Sequence, residues 1–294
     1  MIQTRCAICG SLDNYRILYP KNFSEEDINI KVFSARRLPD RSHYQMVICK
    51  KDGLVRSNPI LESEKLAKLY KDSKFTYGKE VKNLQDTYIE ALKPILDKIS
   101  KEENILEIGC GNGFVLEKLY DMGYKNVYGI EPGKEAAEKA DKKIKKNILV
   151  DILKSDAFKS KKFKLVFFFQ TLDHIPNPNE FLSECYKMMG KDSYILAFNH
   201  NVDSFSSKLL GEKSPIIDIE HTYLYNMETI KLLLEKNGFT AVNLYSPNST
   251  LSLKHLMWLL PLPTFIKKVI LLNKQLESIN IRLNLGNLCI IAKK

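Results

Sequence analysis

The sequence predicts an α/β fold: an open, largely parallel sheet covered by helices, with a small module in front of it. Three observations predict it. Residues 104–119 read Asn-Ile-Leu-Glu-Ile-Gly-Cys-Gly-Asn-Gly-Phe-Val-Leu-Glu-Lys-Leu, an apolar run, three close glycines, then a helix-period stripe that Met122 extends. Apolar runs of strand length alternate with helical patterns from there to residue 245. Two thiols at Cys6-x-x-Cys9 open a loop-rich stretch of different character.

Composition bounds the reading. The 294 residues can hold one large core and an accessory module. Hydrophobic content of 44% and charged content of 27% are those of an ordinary globular protein. The net charge of +10 comes mostly from scattered lysines such as Lys142, Lys143, Lys145 and Lys146, which fit a solvated helix face. Arginine is distributed differently. Arg5, Arg16, Arg36, Arg37, Arg41 and Arg56 lie in the first sixty residues, so a polyanion contact would fall at that end. The N-terminus meets Arg5 and Cys6 without an apolar leader, and no window reaches the roughly 18–20 apolar residues of a membrane span. With Cys110, Cys185 and Cys289 scattered singly, a disulfide framework is not expected, and a reducing cytoplasm is.

Residues 1–60 read as a β-rich module. Cys6 and Cys9 are spaced to reach one tetrahedral ion, and the matching knuckle is Cys49-Lys-Lys-Asp52. Three thiolates and one carboxylate (Cys6, Cys9, Cys49, Asp52) therefore make a candidate zinc set, with His43 as another donor and a ribbon that holds no metal as the alternative. Residues 61–100 form a helical connection. Leu61, Leu66, Leu69 and Tyr70 make one stripe, Tyr88 to Ile99 another, and Pro94 predicts a kink or a new first turn. Ser73–Gly78, with Tyr77, joins them.

The sheet begins at residue 101. Gly109 and Gly111 permit positive φ and close backbone approach, as a ligand lying across a strand-to-helix turn requires. A dinucleotide fingerprint would place its third glycine at position 114, but Phe114 stands there and the glycine is Gly113. Asn126–Ile130 is the next strand and ends in Glu131, which can accept hydrogen bonds from ribose hydroxyls. Residues 133–140 continue as helix, and Asn147–Val150 reads as a third, buried strand. Phe163–Phe169 is a central strand, Phe181–Met189 a helix, Ser193–Phe198 a fifth strand, Thr240–Tyr245 a sixth and Leu288–Ala292 the last. Asn199, His200 and Asn201 fall at a carboxyl strand end, where such sheets place ligands. Residues 202–225 form a long excursion containing Glu220, His221 and Tyr223, and loops of that length are usually functional. A helical insertion at 251–285 carries an apolar run around Pro261 and Pro263. It reads as a pocket cap or a homodimer contact, with a membrane-surface contact as the alternative.

The Glu107-x-Gly109-x-Gly111-x-Gly113 turn with a downstream acid resembles the class I S-adenosylmethionine-dependent methyltransferases. The front module resembles the zinc-binding domain of bacterial sugar and natural-product methyltransferases, whose fourth ligand is usually Cys, not Asp52. The resemblance implies a Rossmann-like sheet of seven strands, the last antiparallel, with residues 101–294 as the cofactor-binding domain. It implies that Glu107, Gly109, Cys110, Gly111, Gly113 and Glu131 hold the cofactor, that Asp151 and Ile152 bracket its adenine, and that Gln170 meets its methionine part. Tyr77 would belong to a lid. Two positions depart from the pattern: Lys164, where an Asp commonly precedes the strand, and Asp173-His174, where Glu-His is commoner. Glu220-His221-x-Tyr223 resembles a block of the zinc-module enzymes. His221 is then the first candidate for general base, oriented by Glu220 or Tyr223, with His174 and His200 behind it. The bland readings are a structural His174 and a His221 that only closes the lid.

Three functions compete on these grounds. The first is methylation of a small molecule, foremost O-methylation of a sugar or polysaccharide-precursor hydroxyl. The second is RNA or tRNA methylation using the Arg-rich module, although no Asn-Pro-Pro-Tyr-type motif is present. The third is a non-catalytic cofactor-binding homologue, which the intact glycine turn, Glu131 and Asp151 argue against.

Overall fold

The computed structural model describes residues 1–24, 42–71, 81–159, 161–259, 263, 267, 270, 272–273 and 275–294. The Ser73–Gly78 connection with Tyr77, the arginines Arg36, Arg37 and Arg41, and much of the apolar run around Pro261 lie outside the described residues.

A seven-stranded sheet carries the fold. Its strands are β4 (Ile105–Ile108), β5 (Val127–Ile130), β6 (Ile148–Leu149), β7 (Phe163–Phe169), β8 (Met189–His200), β10 (Thr240–Tyr245) and β13 (Asn287–Lys293). The order across the sheet is β10-β13-β8-β7-β4-β5-β6. Only β13 runs against its neighbours, pairing antiparallel with both β8 and β10. The strand order reverses between β4 and β7, which pair in parallel, and it is in the crevice above the carboxyl ends at such a reversal that open sheets of this kind bind ligands.

Period-two alternation feeds both faces. Leu106, Ile108, Val166, Phe168, Ile195 and Ala197 join one buried cluster. Ile105, Leu165, Phe167, Phe169, Leu196 and Phe198 join the other. Burying both faces makes β7 the apolar run seen in the sequence, each Phe contributing roughly 1.5–3 kcal/mol. Helices α2 (Val81–Leu96) and α3 (Phe114–Asp121) cover the second cluster. Helices α6 (Pro178–Met188) and α8 (Met227–Lys236) cover the first, and α1 (Ser63–Lys71), α4 (Lys134–Glu138), α5 (Lys142–Lys145) and α7 (Phe205–Leu210) are shorter.

Several expectations change. Pro94 sits inside the last turn of α2, with only two residues of the helix after it, and neither breaks the helix nor starts another. The predicted buried strand at 147–150 is a two-residue, half-buried edge strand, with a neighbour on one side only. The fifth strand runs the full length of β8, since it is paired on both sides by β7 and β13. The insertion is not purely helical. It is entered and left by a hairpin, β11 (Ser249–Ser252) with β12 (Asn280–Leu283), in register Ser249↔Leu283 to Ser252↔Asn280. The hairpin rests on α2: the Asn83 amide donates to Asn280 Oδ1 at 3.0 Å and Thr250 N to Thr87 Oγ1 at 3.0 Å.

The first sixty residues contribute β1 (Tyr15–Tyr19), β2 (Met46–Cys49) and β3 (Val55–Ser57) to a second sheet. Its fourth strand, β9 (Tyr223–Leu224), comes from the long excursion, pairing Val55↔Leu224 and Arg56↔Tyr223. That pairing ties the front module to the segment that carries His221.

Candidate active site

The crevice between β4 and β7 has two walls. One is the glycine turn after β4. Gly109, Gly111 and Gly113 all have positive φ, at 73°, 58° and 71°. A side chain at Gly109 would place Cβ 2.5 Å from Thr171 Oγ1, and one at Gly113 would place it 2.6 Å from Ile144 Cδ1. The turn is therefore left-handed at all three glycines, and at Gly109 and Gly113 a side chain would also crowd its neighbours. Glu131, at the end of β5, closes it. Its Oε2 accepts from Gly111 N at 2.8 Å and its Oε1 from Gly133 N at 2.7 Å. Each carboxylate oxygen retains capacity for a further donor.

Glu107 and Cys110 are buried at the base of this wall. The Cys110 side chain packs beneath β5, where a Cβ on Gly129 would meet its Sγ at 2.6 Å. Burial, with Glu107 and Glu131 nearby, pushes that thiol well above its ordinary range, so it remains a neutral packing group. Asp151 and Ile152 stand at the open rim. Asp151 Oδ1 accepts from Ile152 N at 2.8 Å, and this bond holds the carboxyl below the usual range against the opposing effect of burial. Ile152 is 53% exposed, an apolar surface facing solvent beside the crevice. Gln170 leaves β7 at φ 48°, and its Oε1 accepts from the Tyr88 hydroxyl at 3.3 Å. Tyr88 lies flat on Phe169, centroids 3.9 Å apart, which fixes that hydroxyl.

The other wall gathers three of the five histidines. His174 follows β7, His200 ends β8, and His221 arrives from the excursion. The ring centroids of His174 and His221 are 4.9 Å apart, those of His200 and His221 5.3 Å. His221 Nδ1 lies 2.8 Å from the Ile216 carbonyl, which can only accept, so Nδ1 carries a proton and donates. Nε2 then points toward Asp173 Oδ2, 3.8 Å away. Asp173 Oδ1 lies at the same distance from His174 Nε2.

Asp173, which the sequence marks only as a departure from the Glu-His pattern, is the buried acid of this wall. It is 1% exposed, and neither carboxylate oxygen has a hydrogen-bond partner among the described residues. Burial drives its carboxyl above the usual range, opposed by His221 and by the Asn199 amide beside it. Both amide atoms of Asn199 and the Tyr225 hydroxyl are also buried without hydrogen-bond partners. The available signal was an acid flanked by apolar Leu172 and by His174 at the end of a central strand.

Tyr223 does not orient His221, because its hydroxyl donates to the Arg5 carbonyl at 2.8 Å. Backbone bonds hold the segment instead. Ser57 Oγ donates to the His221 carbonyl at 2.7 Å, Ser57 N to Thr222 O at 2.9 Å, and Thr222 N to Asp173 O at 2.8 Å. The front module thus reaches the imidazole through one residue.

In that module, Cys6, Cys9, Cys49 and Asp52 present one ligand atom each within 4.8 Å of one another. Cys9 and Cys49 Sγ are 3.6 Å apart, and Cys6 Sγ is 3.1 Å from Asp52 Oδ2. A tetrahedral ion with zinc–sulfur bonds near 2.3 Å has edges of about 3.8 Å, so these four side chains fit one. His43 is not in the group. It is fully buried elsewhere, with Nδ1 2.8 Å from Tyr44 O and Nε2 3.1 Å from Glu212 Oε1. Arg56 is fully buried too, donating to the Thr4 and Leu12 carbonyls, so it presents nothing to a polyanion.

With this geometry in view, the family is identified. Residues 81–244, more than half of the chain, match the methyltransferase-domain family. The chain belongs to that family, with the Rossmann-like sheet of a class I S-adenosylmethionine-dependent methyltransferase. It is 24% identical over 160 residues to the ubiquinone biosynthesis O-methyltransferase of Shewanella halifaxensis, a match covering 52% of this chain and 66% of that protein. It is 29% identical over 121 residues to the Pelagibacter ubique enzyme of the same name, covering 39% and 50%. The chain thus spans between a half and two thirds of these relatives. Among solved structures, a Bacillus halodurans chain described as a methyltransferase superposes with a TM-score of 0.50 at 14% identity, covering 71% of this chain and 99% of that one. That likeness concerns the fold.

Proposed function

We propose that the protein methylates a hydroxyl oxygen of a small molecule, with a sugar or polysaccharide precursor as the acceptor class. The observation that carries this reading is the tautomer of His221. Nδ1 is committed to Ile216 O, which leaves Nε2, 3.8 Å from Asp173 Oδ2, as the ring atom that can take a proton. A hydroxyl acceptor must lose a proton as it is methylated, and an imidazole placed there can take it.

Glu131, Gly109, Gly111 and Gly113 fit S-adenosylmethionine because the tight turn bares its backbone and the Glu131 carboxylate can accept ribose hydroxyls. When bound, the cofactor supplies a methyl group on a positively charged sulfur. The protein's work is then to hold the acceptor oxygen in line, exclude water and receive the proton. Gln170, fixed by Tyr88, lies at the junction of the two walls. The relatives' names support O-methylation, and the zinc-module resemblance supports a saccharide. The Cys6, Cys9, Cys49 and Asp52 set is proposed to hold zinc as a structural ion bracing the module against His221.

The test supplies S-adenosylmethionine labelled in the methyl group together with sugar nucleotides, simple phenols or total RNA. Label recovered as a sugar O-methyl ether is the expected result. Label in a phenol would keep O-methylation and displace the sugar, whereas label in RNA would overturn the reading.

A further inference from the structure

The second wall of the crevice holds donors beyond what a lone general base needs. Asp173, His200 and His221 each offer one ligand atom, and the three atoms lie within 4.8 Å of one another. The Asp173 carboxylate is almost wholly buried and neither oxygen is hydrogen-bonded among the described residues. Orphaned buried polar groups are rare in folded proteins, and an uncompensated buried carboxylate is costly. Asn199 and the Tyr225 hydroxyl, buried and likewise without hydrogen-bond partners, belong to the same polar concentration.

We propose that Asp173, His200 and His221 bind a divalent first-row transition-metal ion. The 3.8 Å between Asp173 Oδ2 and His221 Nε2 is too long for a hydrogen bond. It is inside the roughly 4.2 Å that two ligands on opposite sides of one ion can span. The His221 tautomer is the ligating one, since a metal-bound imidazole donates its other nitrogen to a carbonyl, here Ile216 O. Two imidazoles and one carboxylate favour zinc, cobalt, nickel or ferrous iron over magnesium or calcium, which prefer all-oxygen sets.

Three protein ligands leave coordination positions open on the side where an acceptor would enter, and a hydroxyl bound there would ionise more readily. The inference rests on reading this wall as the acceptor side. It deepens that reading: with the ion in place Nε2 is a ligand, the ion acidifies the hydroxyl, and the released proton passes to solvent water.

The experiment strips the full-length protein with chelator and titrates it with Co²⁺, followed by calorimetry and absorption. Cobalt in the cysteine cluster gives near-ultraviolet thiolate charge-transfer absorption, whereas cobalt on imidazole and carboxylate does not. The expected result is a binding equivalent without the thiolate signature, weakened about a hundredfold in Asp173→Asn and in His200→Ala. Cys9→Ser should remove the thiolate signature and leave that equivalent. Thermal melts of both wall variants confirm folding, and either variant alone suffices. Absence of any equivalent lacking the thiolate signature, or unchanged affinity in both folded variants, would overturn the proposal. S-adenosylmethionine titration of the same samples separates the two readings: cofactor binding without the extra cobalt equivalent sinks only the metal.

Discussion

The wall proposed to hold the cofactor is built chiefly on one contiguous stretch, residues 105–133, in which the left-handed glycines and Glu131 form the turn, with Thr171 and Ile144 packed against it. The wall proposed to receive the acceptor is assembled from four places: Ser57 of the front module, Asp173 after β7, His200 ending β8 and His221 from the excursion. A local turn tolerates divergence around it, because its geometry depends on itself. An assembled wall depends on every element that holds it, and here that includes the front module through β3 and β9. The contrast is one of preorganisation by backbone against preorganisation by tertiary contact.

The two walls should respond differently to substitution. His221→Ala should cost most, lowering turnover of any hydroxyl acceptor by roughly 10²–10⁴-fold while leaving the dissociation constant for S-adenosylmethionine unchanged. Initial rates and calorimetry on one preparation would show it, and a matching loss of cofactor affinity would collapse the distinction between the walls. Gly109→Ala should do the reverse. The left-handed backbone alone costs roughly 1–2 kcal/mol for a residue with a Cβ, and contact with Thr171 adds to it. Cofactor affinity should fall about tenfold or more by titration. Ser57→Ala should be the mildest. It removes one hydrogen bond worth about 1 kcal/mol to the His221 carbonyl. Turnover should drop about fivefold with cofactor binding intact, and no change would mean that the module does not brace the imidazole.

The same contrast explains what could be read from the chain. The glycine turn, Glu131 and the central strand at 163–169 are local patterns, and they stood in the sequence as they stand in the sheet. So did the two halves of the Cys6–Asp52 set, because each is a tight turn. Asp173 stood out only as a departure from the Glu-His pattern because its significance lies in being buried and unsatisfied, a property of its neighbours from other elements. Tyr223 was credited with orienting His221, but the pairing of β9 with β3 sends its hydroxyl to Arg5. The β11–β12 hairpin was missed because Ser249–Ser252 is short and polar, and its pairing partner lies some thirty residues on. Arg56, one of the arginines that placed any polyanion contact at the N-terminal end, is a buried tie between two backbone carbonyls.

The measurement that reaches the centre of this account is calorimetric titration of S-adenosylmethionine and S-adenosylhomocysteine into the wild type and Glu131→Ala. A charge-assisted hydrogen bond is worth about 1.5–3 kcal/mol, so the account predicts binding to the wild type and about ten- to a hundredfold weaker binding to the variant. Well-folded wild-type protein that binds neither compound, or a variant that binds both as tightly, would contradict it.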